Sequence, residues 1–136
     1  MKYDLQPFLK FLHKNYRFSE SVKRYCPWQY AIVNVAVDQN DVITDYKIEN
    51  KVTDSLKKDF RFLIGYKFSD KNLVGKHVIF FASLENKRTD QCDVPPVNTH
   101  ESEDKVYSQF RKSYKIDKDT IYIDGIQILF IFDPIR

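Results

Sequence analysis

The stretch Ala31–Ile48, Ala-Ile-Val-Asn-Val-Ala-Val-Asp-Gln-Asn-Asp-Val-Ile-Thr-Asp-Tyr-Lys-Ile, dictates more of the architecture than any other part of the chain. Val33, Val35 and Val37 recur at every second position, as do Val42, Thr44, Tyr46 and Ile48. Period-two recurrence puts such residues on one face of a strand. Between the two runs lies Asp38-Gln39-Asn40-Asp41, and Asn and Asp tolerate the left-handed backbone that a tight turn needs. The pattern predicts a β-hairpin.

Helical patterns flank it. Leu5, Phe8, Leu9 and Leu12 recur at i, i+3, i+4 and i+7 and form one apolar face. Asp4 is placed to cap this helix, and Pro7 falls in its first turn, where a missing N–H costs little. The helix should fade near Lys14-Asn15, and Ser19–Tyr25 adds a short helical turn before Pro27. After the hairpin, Thr53 or Asp54 caps a helix whose buried stripe is Leu56, Phe60, Leu63 and Ile64, with Lys57, Lys58, Asp59 and Arg61 facing outward. Gly65 stands where a helix end favours positive φ.

Lys76–Leu84 reads as a strand buried on both faces, because its β-branched and aromatic residues run on without alternation. Residues 86–101 contain Pro95-Pro96 and little apolar material and read as a loop. Ser102 is placed to cap a third helix, with Val106, Phe110 and Tyr114 toward the core. Asp124-Gly125 between Thr120–Ile123 and Ile126–Phe132 predicts a second hairpin. The expected fold class is α+β: a mainly antiparallel sheet with helices packed on one face. At 136 residues the chain is expected to form a single domain.

Function classes can be narrowed. With three glycines, neither G-x-G-x-x-G nor a phosphate-cradling P-loop can be written. His13, His77 and His100 are scattered, and Cys26 and Cys92 fit no metal spacing, so neither a metal nor another cofactor is expected. The two cysteines either pair as a disulfide in an oxidising compartment or remain thiols. No nucleophile–base pair and no paired carboxylates stand out, so the chain is not expected to be an enzyme. No apolar run approaches the roughly 20 residues of a membrane span. The N-terminus lacks the apolar stretch of a signal peptide, and the chain reads as soluble as given.

Charge is uneven. Thr89–Asp104 carries Asp90, Asp93, Glu101, Glu103 and Asp104 without Lys or Arg; against the net +3, this leaves the remainder at +8. Such a body suits an acidic partner, although a solvated, self-shielding loop explains the run more simply. Aromatic content is high at 15%. Phe80, Phe81, Phe130 and Phe132 lie on expected strands, with Lys76, Arg111 and Lys112 near them in sequence. Strand aromatics beside cations can stack single-stranded nucleic acid. More often they are simply the core of a small domain.

Several of these segments form a series. Phe8-Leu9 to Phe11-Leu12 supply a short helix, and Asn15-Tyr16-Arg17-Phe18-Ser19 a step after it. Val33–Asp38 and Val42–Ile48 supply a strand pair, Thr53–Gly65 a helix, and Gly75-Lys76-His77-Val78 a strand opening. Over about residues 5–84 this series resembles the TonB C-terminal domain, the periplasmic module that grips outer-membrane transporters. Phe18-Ser19 stands where that family has Tyr-Pro, and Asp41 where its turn has Gly. Residues 102–134 would be a helix-and-hairpin extension; alternatively Asp124–Ile135 is the closing strand of the family, and the segment before it an insertion.

The resemblance implies non-enzymatic binding of a protein or extended peptide, such as a segment of a TonB-dependent receptor, by strand addition to a sheet edge. That edge would be Ile126, Gln127, Ile128, Leu129, Phe130, Ile131 and Phe132, or else Val78, Ile79, Phe80 and Phe81. It also implies a periplasmic location, against a cytoplasmic one without it, and leaves a dimer open. Energy transducers of this family further need a membrane helix and a Pro-rich linker, and neither pattern occurs in these residues. The alternatives are a basic single-stranded nucleic-acid-binding module and an intracellular interaction or inhibitor protein.

Overall fold

The computed structural model describes residues 4–24, 29–86, 105–106, 108–109, 120–122 and 128–132. Its elements are α1 (Gln6–Asn15), α2 (Glu20–Arg24), β1 (Gln29–Val37), β2 (Ile43–Ile48), α3 (Asp54–Lys58), β3 (His77–Asn86), β4 (Thr120–Tyr122) and β5 (Ile128–Phe132). Short 3₁₀ turns at Arg61–Leu63 and Lys71–Leu73 link α3 to β3. The fold is α+β.

The first hairpin forms around Asp38–Asp41. Asp41 takes φ 65°, and the Asp38 carboxylate accepts the backbone N–H groups of Asn40 and Val42 at 2.8 and 2.9 Å. Val33, Val35 and Val37 are buried. On β2 the phase differs from the expected one. Val37 pairs with Ile43 while Ala36 pairs with Asp45, so Thr44 is an extra residue in a bulge. A bulge shifts the alternation by one: Ile43, rather than Val42 or Thr44, is fully buried, and the expected phase resumes at Tyr46 and Ile48.

The sheet is mixed, not mainly antiparallel. Its path is β2-β1-β3-β4, with β5 also on β3. β1 pairs antiparallel with β2 and β3, but β4 and β5 both run parallel to β3. The expected second hairpin is therefore overturned. Strands on either side of a two-residue turn must be antiparallel, whereas β4 and β5 follow one another in the same direction along one side of β3. Ile79 pairs with Tyr122 and Ala82 with Ile128, so this outer strand carries three extra residues between its halves.

The face of β1 that bears Val33, with Val78, Phe80, Ala82 and Leu84 of β3, packs on Leu5, on Phe8 and Leu12 of α1, and on Leu56, Phe60 and Leu63. Phe8 sits among the rings of Phe68, Tyr66 and Phe80, with centroids 4.9, 5.4 and 5.7 Å away. Burial is not confined to that face. Ile32, Ile79, Phe81 and Ser83 on the opposite face are also buried, in line with the strand buried on both faces that the unbroken apolar run of β3 predicts.

The helices depart from expectation in detail. The N-cap of α1 is Leu5, not Asp4, although the Asp4 carboxylate still accepts the Gln6 N–H. The helix expected over Thr53–Gly65 stops at Lys58. Thr53 caps it through its hydroxyl, and the chain then tightens into a 3₁₀ turn. Leu56, Phe60 and Leu63 stay buried, but Ile64 is extended and half-exposed, because the change of period rotates it out of the stripe. Gly65 has φ 96° and donates its N–H to the Ile43 carbonyl, turning the chain against β2. In the expected third helix, Lys105, Val106, Ser108 and Gln109 are helical; its start at Ser102, Phe110 and Tyr114 lie outside the described residues.

Candidate functional site

The two candidate edges fare differently. Val78, Ile79, Phe80 and Phe81 belong to β3, which has β1 on one side and β4 and β5 on the other. The segment is interior, so its backbone groups are committed to the sheet and it is not an edge. Phe80 and Phe81 point to opposite faces and are 0% and 1% exposed, so they form no stacking platform. Ile128, Leu129, Phe130, Ile131 and Phe132 make up β5; Ile126 and Gln127 lie outside the described residues, as do Cys26, Cys92 and His100. Among the described residues no strand pairs with the outer side of β4 or β5.

The opposite margin is guarded. The Ile43 N–H donates to the Tyr66 carbonyl at 2.9 Å, and Val42 bridges Lys67, so residues 65–68 cover the start of β2. Farther along, the Asp45 carboxylate accepts the Tyr46 N–H. Beyond the end of β2, Asn50 accepts the Ile32 N–H and donates to the Tyr30 carbonyl, standing in for a strand. Such occupied donors and charged side chains blunt an edge.

Phe11 packs on Phe62 and Tyr66, toward β2, with ring centroids 5.6 and 4.3 Å away. Gln6, Leu9, Lys10, His13 and Lys14 of α1 line a shallow groove of about 590 Å³, with Leu9 at the buried stripe and Lys10 and Lys14 on the outward side of the helix. α1 also approaches the backbone of β5. Lys10, His13 and Lys14 are exposed, α1 contains no Asp or Glu, and neither lysine is ion-paired among the described residues.

Two polar constellations remain. Asp59, expected to face outward, is half-buried: its carboxylate accepts the Ser19 N–H at 3.0 Å, while the Ser19 hydroxyl caps α2 by accepting the Val22 N–H. Burial raises the Asp59 carboxyl above its ordinary range, although the Ser19 N–H works against this. Burial, with Asp59 beside it, pushes the Tyr16 hydroxyl far above the tyrosine range. The Ser19–Asp59 contact ties the start of α2 to the end of α3, and a phenol held neutral in this way offers no base. On the second face His77 Nδ1 lies 3.0 Å from Asn34 Oδ1, Asn34 donates to Glu49, and Glu49 pairs with Lys47 at 3.7 Å. Among the described residues no group of three His, Cys, Asp or Glu side chains could hold a metal ion, and no helix is long and apolar enough to cross a membrane.

Comparison with known proteins finds no matching family model, no matching curated protein and no matching solved structure.

Proposed function

We propose that this chain is a non-enzymatic, TonB C-terminal-like domain of the periplasm that binds an extended protein segment, such as one from an outer-membrane receptor, by strand addition. The observation that carries this reading is the asymmetry of the sheet margins. One is guarded at β2 by residues 65–68, Asp45 and Asn50; on the other, no described strand pairs with the outer side of β4 and β5. A margin that keeps its N–H and C=O groups unpaired can template a further strand. The run α1–β1–β2–α3–β3 is consistent with the family-like series of helix, strand pair, helix and strand. The nucleic-acid alternative loses support with the burial of Phe80 and Phe81.

Titrating the ¹⁵N-labelled full chain with N-terminal peptides of TonB-dependent receptors tests the proposal. Amide shifts should concentrate on Thr120–Tyr122 and Ile128–Phe132. Shifts spread over both margins, or none at millimolar peptide, would reject strand addition. Counting free thiols in the native protein bears on the compartment, since a Cys26–Cys92 disulfide favours an oxidising one.

A further inference from the structure

We propose that His77 and Asp45, on the second face of the sheet, bind a divalent transition-metal ion of the zinc type, with Asn34 and Glu49 holding His77 in its ligating form. The proposal does not depend on strand addition. Its first support is a hydrogen-bond series whose direction is fixed at one end. The Glu49 carboxylate, paired with Lys47 at 3.7 Å, can only accept. The Asn34 group 3.0 Å from it is therefore the Nδ2 amide, and the amide oxygen faces His77. That oxygen lies 3.0 Å from His77 Nδ1 and in turn can only accept, so Nδ1 carries the proton. The neutral ring keeps its lone pair on Nε2, at an exposed position. A neutral imidazole whose other N–H is anchored to a hydrogen-bonded acceptor is the form in which proteins present histidine to such ions.

Register supplies the second ligand. Ala36 pairs with His77 on β3 and with Asp45 on β2, so the three form one row across the sheet. Paired residues share a face, and Ala36 shares its face with Asn34, two positions away. Strand spacing sets the backbones of Asp45 and His77 about 10 Å apart, with only the small side chain of Ala36 in the row between them. Both are exposed, and the Asp45 carboxylate uses Oδ1 for the Tyr46 N–H, which leaves Oδ2 for a ligand. The neighbouring cation, Lys47, is held by Glu49. An imidazole nitrogen with a carboxylate oxygen is a donor set for zinc, whereas Mg²⁺ takes oxygen ligands and gains nothing from the ring. Two protein ligands leave the other positions to water, so the bound ion exchanges readily.

The test uses the full chain at slightly alkaline pH, where an ordinary imidazole is uncharged. Long-range ¹H–¹⁵N NMR reads the histidine rings, and amide shifts locate binding during titration with ZnCl₂ or MgCl₂. Before metal is added, His77 should carry its proton on Nδ1; a proton on Nε2 would overturn the proposal at its first step. Zn²⁺ should then perturb His77 Nε2 and the Asp45 amide, and Mg²⁺ should move neither. H77Q should abolish this response and D45N weaken it. N34A removes the anchor but no ligand, and should weaken Zn²⁺ binding about tenfold or more. E49A, which releases the Asn34 amide from outside the row, should weaken it in the same direction, so the reading survives if N34A disturbs the sheet. No response of His77 at millimolar Zn²⁺ refutes the site. An equal response to Mg²⁺ means that the carboxylates attract cations without the histidine, and refutes it too. If Zn²⁺ binds His13 as well as His77, and neither N34A nor E49A matters, His77 is an ordinary surface histidine and the proposal fails.

Discussion

Replacing Phe81 by Ala separates a packed ring from a binding ring, because the two roles differ by several kcal/mol in folding stability. Phe81 is 1% exposed and stacks on Tyr30, with centroids 5.3 Å apart and planes inclined by 11°. Truncating a fully buried Phe costs about 3–5 kcal/mol in transfer and cavity energy, and losing a stacked partner places this site toward the middle or top of that range. A cost of about 4 kcal/mol, with a urea slope of about 1.5 kcal/mol/M, lowers the denaturation midpoint by about 2.7 M. Phe81→Leu keeps most of the volume and should lose only about 1–1.5 kcal/mol, so it remains measurable if the alanine variant unfolds. An aromatic displayed for ligand stacking would behave as a surface residue, within about 0.5 kcal/mol. Midpoint shifts below about 0.4 M for both variants would refute the burial of the second face and restore the stacking platform.

Asp59→Asn should flatten the pH dependence of stability just above 3.8, the ordinary value of this carboxyl. A raised carboxyl binds its proton more tightly in the folded state, so wild-type stability falls as pH rises from that value through the raised one. Asn retains an acceptor for Ser19; urea midpoints from pH 3.5 to 7 with equal slopes in both proteins would contradict the assignment. Gly65→Ala should destabilise by about 1–2 kcal/mol through backbone strain alone, since φ is 96° and a Cβ would meet nothing within 4 Å. A thermal melt unchanged from wild type would exclude the left-handed turn. Asp41→Gly should do the reverse and stabilise by about 0.5–1 kcal/mol, raising the melting temperature by a few degrees. It relieves φ 65° and removes a buried carboxylate oxygen that has no hydrogen-bond partner; a lower melting temperature would overturn this.

Sequence periodicity carried the first part of the fold because its determinants are local. The Leu5–Leu12 stripe, the Val33/Val35/Val37 face and the Asp-rich turn each follow from residues within one element of one another. The bulge at Thr44 escaped because bulges preserve composition while shifting phase, and Val42, Ile43 and Thr44 are all acceptable strand residues. The shortened α3 escaped because Asp59 is drawn to Ser19, a contact across 40 residues that no helical period encodes. The C-terminal strands were misread for a deeper reason. Asp-Gly is a local hairpin signal, whereas parallel pairing to β3 joins residues more than 40 positions apart, which no local signal encodes. The candidate edge was legible only as a segment, since its place at the margin depends on that pairing.

The geometry of the outer strand also bounds what strand addition can achieve. Its two halves are out of step by three residues, so an incoming strand finds at most five consecutive residues, Ile128–Phe132, in one register. About half of their backbone groups face away from β3, giving roughly four or five hydrogen bonds at a net 0.5–1.5 kcal/mol each. Fixing each backbone residue of a flexible peptide costs about 1–2 kcal/mol, and association adds its own entropic loss. The two sides nearly cancel, so a peptide held by the ladder alone binds with roughly millimolar dissociation. Specificity from the ladder is equally poor, because every sequence except proline presents the same N–H and C=O groups. A partner that binds more tightly must add contacts off the ladder.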